Sequence, residues 1–159
     1  MQQRMMSPAL SVVGALDALQ ALGKAANEAA SRAGLPQSTI DLVALRASQI
    51  NGCAVCLDMH GLGARKAGET DERLLTLAAW RDTPYFTDAE RAALALAEAG
   101  TRLADGGGVP DEVFSEAARH HDEQALAALI VTIAAINAWN RLNVISGQLA
   151  GEWVRQWVA

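Results

Sequence analysis

Alanine and leucine recur at spacings of three and four along almost the whole chain, and no run of alternating β-branched residues interrupts them. A pattern with the period of a helix and without the period of a strand predicts an all-α fold. Turn and capping residues divide it. A first amphipathic helix follows Ser7-Pro8, with Val13, Leu16, Leu19 and Leu22 on one side and Gly23 expected to end or bend it. A short stretch from Lys24 to Arg32 stops near Gly34, and Pro36 opens a helix carrying Ile40, Val43, Leu45 and Ile50 up to the turn pair Asn51-Gly52. The next helix starts at Cys53 and ends near Gly68.

Thr70 caps a helix through Leu74, Leu77 and Trp80. Thr87-Asp88-Ala89-Glu90 has the spacing of a capping box, opening a helix to about Ala104. After the flexible Gly106-Gly107-Gly108, Pro110 starts a short helix to about His120, and Asp122 caps a long apolar one through Ile130, Ile133 and Ile136 that should form the core. The chain of 159 residues reads as one domain, 1–159, a bundle of about seven or eight helices.

The charge balance excludes several function classes. Thirteen basic residues stand against 18 acidic ones, and only Lys24 and Lys66 are lysines, so no basic stripe is present to neutralise phosphates; neither nucleic acid nor an anionic membrane surface is an expected partner. Ser11, Gly14 and Asp17 break the N-terminal apolar run, unlike a secretory signal. The uncharged stretch from Ala125 to Asn140 is too short and too polar for a membrane span. A cytosolic location follows, where a lone Cys pair is more often catalytic or metal-binding than structural. Charged residues make up 19%, below the roughly 25% usual in soluble domains, which suggests surface buried between subunits. Trp153 and Trp157 share a helical face and are expected to pack on the core or a neighbouring subunit.

The chemistry concentrates in the segment from Asp41 to His60, which holds both cysteines. At about 100° per residue, Cys56 lies about 300° and His60 about 340° from Cys53, so the three side chains share one helix face. Cys53 sits at the helix start, where free amides and the dipole favour a thiolate. Cys56 has His60 one turn on, in reach to take its proton directly or through a water. Such settings lower thiol pKa values from about 8.5 to roughly 3.5–7.5. If the helices flanking Asn51-Gly52 pack antiparallel, Asp41 falls within a turn of His60 and can orient it or share in proton transfer.

Other readings compete. An inert buried pair is one, and a zinc site is another, although Cys-x2-Cys-x3-His lacks a second ligand pair and the adjacent His120 and His121 are badly placed to bind one metal together. Asp41 also fits a capping box begun by Ser38. His120 and His121 complement a helix C-terminus, Arg46 forms a solvated or interfacial salt bridge, and the cluster Asn137-x-Trp139-Asn140-Arg141 lines either a pocket or an interface.

The run Leu45-Arg46-Ala47-Ser48-Gln49-Ile50-Asn51-Gly52-Cys53-x-x-Cys56-x-x-x-His60, followed by Ala64-Arg65-Lys66-Ala67-Gly68-Glu69, resembles the alkylhydroperoxidase D-like branch of the carboxymuconolactone decarboxylase family. Phe86-Thr87-Asp88-Ala89-Glu90-Arg91 and Ile136-Asn137-Ala138-Trp139-Asn140-Arg141 extend the likeness over about 36–145. The resemblance implies an all-α fold assembled as trimers or hexamers, and a peroxidase or disulfide reductase that needs no metal or organic prosthetic group. It implies that Cys56 attacks an organic hydroperoxide or hydrogen peroxide to form a sulfenic acid, that Cys53 condenses with it to a disulfide, and that His60 and Asp41 relay protons. Family members usually carry Glu where this chain has the shorter Asp41, and some have a His between the cysteines, where Ala54 and Val55 stand here. The decarboxylase branch lacks the Cys pair. A dithiol partner such as a lipoyl protein would reduce the disulfide. Two alternatives are an adaptor passing electrons from a lipoyl protein to a peroxiredoxin, and a non-catalytic zinc-binding oligomer.

Overall fold

Helix-start chemistry is largely local, and the computed structural model, which describes residues 2–151 with Trp153 and Val154, shows it at several junctions. Thr87 accepts the Glu90 N–H while the Glu90 carboxylate accepts the Thr87 N–H, completing the capping box of the helix Asp88–Thr101. Thr70 caps Asp71–Thr76, and Asp122 caps Glu123–Ser146 through the Ala125 N–H.

Among the described residues the chain forms eight α-helices and no strand: α1 Pro8–Ser11, α2 Ala15–Arg32, α3 Gln37–Asn51, α4 Ala54–Lys66, α5 Asp71–Thr76, α6 Asp88–Thr101, α7 Asp111–His120 and α8 Glu123–Ser146. A 3-10 segment, Leu77–Asp82, continues α5 with a kink at Ala79, and another, Leu103–Asp105, follows α6. Two expectations need correcting. The first amphipathic stretch breaks at Gly14, and α2 then runs unbroken through Gly23 to Arg32. Packing of α2 against α8 outweighs the roughly 1 kcal/mol that a glycine costs inside a helix. Ser38 and Asp41 form no capping box either: Pro36 occupies the N-cap of α3 without a side-chain bond, and Asp41 lies inside the helix.

α8 is the central element, packed on α2, α3 and α6, and its Leu129, Ile133 and Ile136 are buried as expected. Ile130, Val144 and Ile145 on the same helix are exposed. α8 is long and apolar enough to cross a membrane by length and composition only, but 56% of its most apolar window is buried inside the fold, as in a core helix. The side chains pack in three clusters: one around Val43, Leu96 and Leu129, a second around Leu42, Trp80 and Leu94, and a third in which Ala44, Ala47, Val55 and Ile136 enclose both cysteines. Trp157 lies outside the described residues, while Trp153 is exposed and donates its indole N–H to the Leu149 carbonyl.

The charged pairs that brace the bundle are buried. Arg46 bonds Glu98 at 2.7 Å, and the same carboxylate accepts from Trp80 and Arg81, so Arg46 serves an internal ion pair rather than a solvated one. Burial raises the Glu98 pKa, but the hydrogen bonds from Arg81, Trp80 and Arg46 more than offset this and leave it lowered. Arg73 joins Glu69 at 2.7 Å and Glu90 at 2.5 Å. His120 pairs with Glu116, and His121 contacts the Ala89 carbonyl at the end of α7.

Candidate active site

Gly52, at φ 66°, ends α3 in the left-handed conformation that a residue with a Cβ resists, and the chain turns at once into α4. Cys53 becomes the N-cap of α4 rather than its first helical residue, and its sulfur accepts the Cys56 N–H at 3.4 Å. Both cysteines are free thiols and buried, at 1% and 0% exposure.

Sequence reasoning did not identify the group that completes the sulfur site. Asn143 of α8 places its Nδ2 at 3.4 Å from the Cys56 sulfur and 3.8 Å from that of Cys53. Asn140, one turn earlier, donates to the Ser48 hydroxyl at 3.0 Å, and Asn51 donates to both Asn137 and Asn140 at 2.9 Å. Asparagines at 137, 140 and 143 thus form a stripe along α8 that meets the α3–α4 junction. Their spacing was legible, but the partners are about ninety residues away in sequence.

Each thiol shifts the other's proton affinity. The hydrogen bond from the Cys56 thiol, opposed by burial and helped by the Cys56 N–H and by Asn143, lowers the Cys53 pKa to about 6. The same bond, with burial and the Cys53 charge, raises that of Cys56. Of the two sulfurs, the capping one is thus the more acidic.

Asp41 and His60 open onto a single cavity of about 840 Å³. Its walls include Ile40, Val55, Met59, Trp139 and Val154, and Asn143 is common to the cavity wall and to the hydrogen bonds of the sulfurs. Asp41 accepts from Gln37 at 3.0 Å. Burial raises its pKa, the Gln37 bond opposes this, and the Glu69 carboxylate raises it further. Burial lowers the pKa of His60. The acid and the imidazole are thus pushed toward each other in proton affinity, which suits proton exchange between them. The structure brings Asp41 and His60 to one cavity and Cys53 and Cys56 to one asparagine, without a hydrogen bond linking the two pairs among the described residues. No group of three His, Cys, Asp or Glu side chains among the described residues is arranged to hold a metal ion.

Several known proteins resemble this chain in sequence or fold. The carboxymuconolactone decarboxylase family matches residues 15–99. YdfG of Bacillus subtilis, an uncharacterised protein, is 41% identical over 114 residues, covering 72% of this chain and 77% of YdfG. The crystal structure of ATU0492 from Agrobacterium tumefaciens superposes with a TM-score of 0.85 at 33% identity, covering 95% of this chain and 99% of that one. ATU0492 is described as a protein of unknown function, suggested to be an antioxidant defence protein of the AhpD type. The debrominase Bmp8, solved as a cysteine-to-alanine variant in complex with 2,3,4-tribromopyrrole, shares the fold at a TM-score of 0.75 and 24% identity, over 89% of this chain and 73% of Bmp8.

Proposed function

The chain belongs to the carboxymuconolactone decarboxylase family, and on that premise we propose that it is a thiol-dependent alkylhydroperoxidase of antioxidant defence, acting in the cytoplasm. One observation carries the reading: two free cysteines at the start of α4 both lie in reach of Asn143, which lines a cavity that also presents a carboxyl and an imidazole. ATU0492 supports it by analogy.

In this reading the thiol proton passes between the sulfurs, and the Cys56 thiolate attacks the terminal oxygen of a hydroperoxide ROOH. The O–O bond breaks, leaving a sulfenic acid on Cys56 and an alkoxide that takes a proton through His60 and Asp41 to leave as the alcohol. The Cys53 sulfur then attacks the sulfenic sulfur, expelling water and closing the disulfide. Two electrons have moved from the thiols to the peroxide. An external dithiol, such as a reduced lipoyl group, restores the pair by thiol–disulfide exchange, so the cycle needs neither a metal nor an organic prosthetic group. Cys56 is assigned the attack because the resemblance to the alkylhydroperoxidase D-like branch implies it; Met59 and His60, three and four positions beyond it, line the cavity.

The protein is also proposed to assemble as a homo-trimer or homo-hexamer. Leu10, Val12 and Val13 near the N-terminus and Ile130 and Ile145 on α8 are exposed apolar side chains of the kind subunit contacts cover.

Mass spectrometry of the reduced, metal-free protein before and after one equivalent of cumene hydroperoxide tests the proposal. The parent should lose two hydrogens, and Cys53→Ser should retain a sulfenic or over-oxidised Cys56. Absence of oxidation in both would reject peroxide chemistry. Fast reduction by dihydrolipoamide with little peroxide turnover would point to an adaptor between a lipoyl protein and a peroxiredoxin.

A further inference from the structure

A buried amide N–H is costly unless it meets a good acceptor, and a neutral thiol is a weak one. The Asn143 side chain is 8% exposed, and the acceptors its Nδ2 finds among the described residues are the two cysteine sulfurs, at 3.4 and 3.8 Å. That arrangement is well satisfied only when a sulfur is charged, because a thiolate turns the contact into a charge-assisted hydrogen bond. The amide is in reach of both sulfurs. Its neighbour Asn140 is fixed by Ser48 and Asn51, so the polar stripe of α8 is held in register with the turn that ends α3.

We propose that Asn143 is a catalytic residue of the thiol pair, whose carboxamide N–H holds the single negative charge on whichever sulfur carries it and keeps the pair reactive as that charge passes from one sulfur to the other. Asn143 lines the cavity as well, so it connects the buried sulfurs to that space. The titratable and charged groups on the elements packed around the pair are Asp58, His60, Arg65 and Lys66 on α4, Asp41 and Arg46 on α3, and Glu123 and Arg141 on α8. Arg46 is committed to Glu98, Arg141 to the Asn137 side chain and carbonyl, and Asp58 to the Gly151 N–H. The partner cysteine, then burial, Asn143 and Asn140 are the leading influences on each thiol.

The inference rests on the thiol pair of the proposed function but not on peroxide as its substrate, so its readout is titration rather than turnover. Thiolate ultraviolet absorbance of the reduced protein, with the oxidised protein as blank, should show half-ionisation near pH 6 in the parent. Asn143→Leu, which keeps bulk and removes the donor, should move that midpoint upward by about one to two pH units. Asn143→Gln, which keeps the donor on a longer arm, should recover part of the shift. An unchanged midpoint in a folded Asn143→Leu protein would overturn the proposal. Should the variants fail to fold, nuclear magnetic resonance of the unaltered protein decides: the Asn143 side-chain amide protons should move downfield in step with thiol ionisation. A signal that ignores that titration would overturn the proposal equally.

Discussion

Cys53 accepts the backbone N–H of Cys56 on its sulfur at 3.4 Å, so the first cysteine caps the helix that carries the second. The Cys56 thiol is the largest influence lowering the Cys53 pKa to about 6. Cys56→Ala removes that donor, and the Cys53 midpoint should rise toward the ordinary thiol value of about 8.5. At pH 7 the parent would be mostly thiolate and the variant mostly thiol. Cys56→Ser keeps an O–H donor and should rise less. Absorbance titration of both variants checks the order, and equal midpoints for the parent and Cys56→Ala would remove the shared-proton account.

Asp41→Asn should separate activity from stability. As part of a proton relay, loss of the carboxyl should slow peroxide turnover by roughly 10²–10⁴-fold. Burial, against the Gln37 hydrogen bond and with the Glu69 charge, raises the Asp41 pKa, so the ionised carboxyl is less favourable in the folded protein than in the unfolded chain. The associated penalty is absent below the ordinary carboxyl pKa, grows as pH rises through the folded value and persists above it. The variant should therefore melt higher than the parent at neutral pH, with the gap closing in acid. Calorimetry across pH together with steady-state kinetics tests both halves. Unchanged kinetics would leave Asp41 outside the relay.

Legibility followed locality. Thr87 with Glu90, Thr70 with the Arg73 N–H, and Asp122 with the Ala125 N–H each depend on residues three apart, and each cap was readable before the fold was known. The Cys-x-x-Cys-x-x-x-His register was equally local. Gly23 misled because a local helix penalty was outweighed by packing between α2 and α8. Asn143 was invisible for the complementary reason: an asparagine in an apolar helix announces a polar partner but not which one. Here the partners lie at the start of α4. A hairpin argument expects Asp41 and His60 within a turn of each other; both line one cavity, which is built partly from α2 and α8, elements that local pattern does not bring together.

The buried carboxylate of Glu98 should be the acid-sensitive brace of the fold. It binds Arg46 and Arg81 at 2.7 Å and the Trp80 indole at 3.0 Å. Glu98→Gln leaves the buried Arg46 guanidinium without its counter-charge, and removal of one partner from a buried pair costs roughly 3–5 kcal/mol. Because the folded-state pKa of Glu98 is lowered, its contribution is complete above the ordinary carboxyl pKa and is lost as pH falls through the folded value. Urea denaturation at neutral pH should show the variant much less stable than the parent, and the difference should shrink in strong acid. A constant difference across pH would assign the loss to packing instead of charge.

Gly52 offers a test of how tightly the turn sets the thiols. Its φ of 66° is left-handed, and a Cβ built there would meet nothing within 4 Å, so substitution strains the backbone without a clash. The turn is closed by the Gly52 N–H on the Gln49 carbonyl at 3.3 Å and the Cys53 N–H on the Ser48 carbonyl at 3.0 Å. Gly52→Ala should cost about 1–2 kcal/mol, whereas Gly52→Asn, whose side chain tolerates this conformation better, should cost less. If the turn relaxes to relieve the strain, Cys53 leaves the N-cap and its pKa rises, so the alanine variant should lose thiolate absorbance at pH 7 as well as stability. An alanine variant that is destabilised yet keeps the parent's thiol midpoint would show that the helix start and the asparagine stripe hold Cys53 without help from the turn.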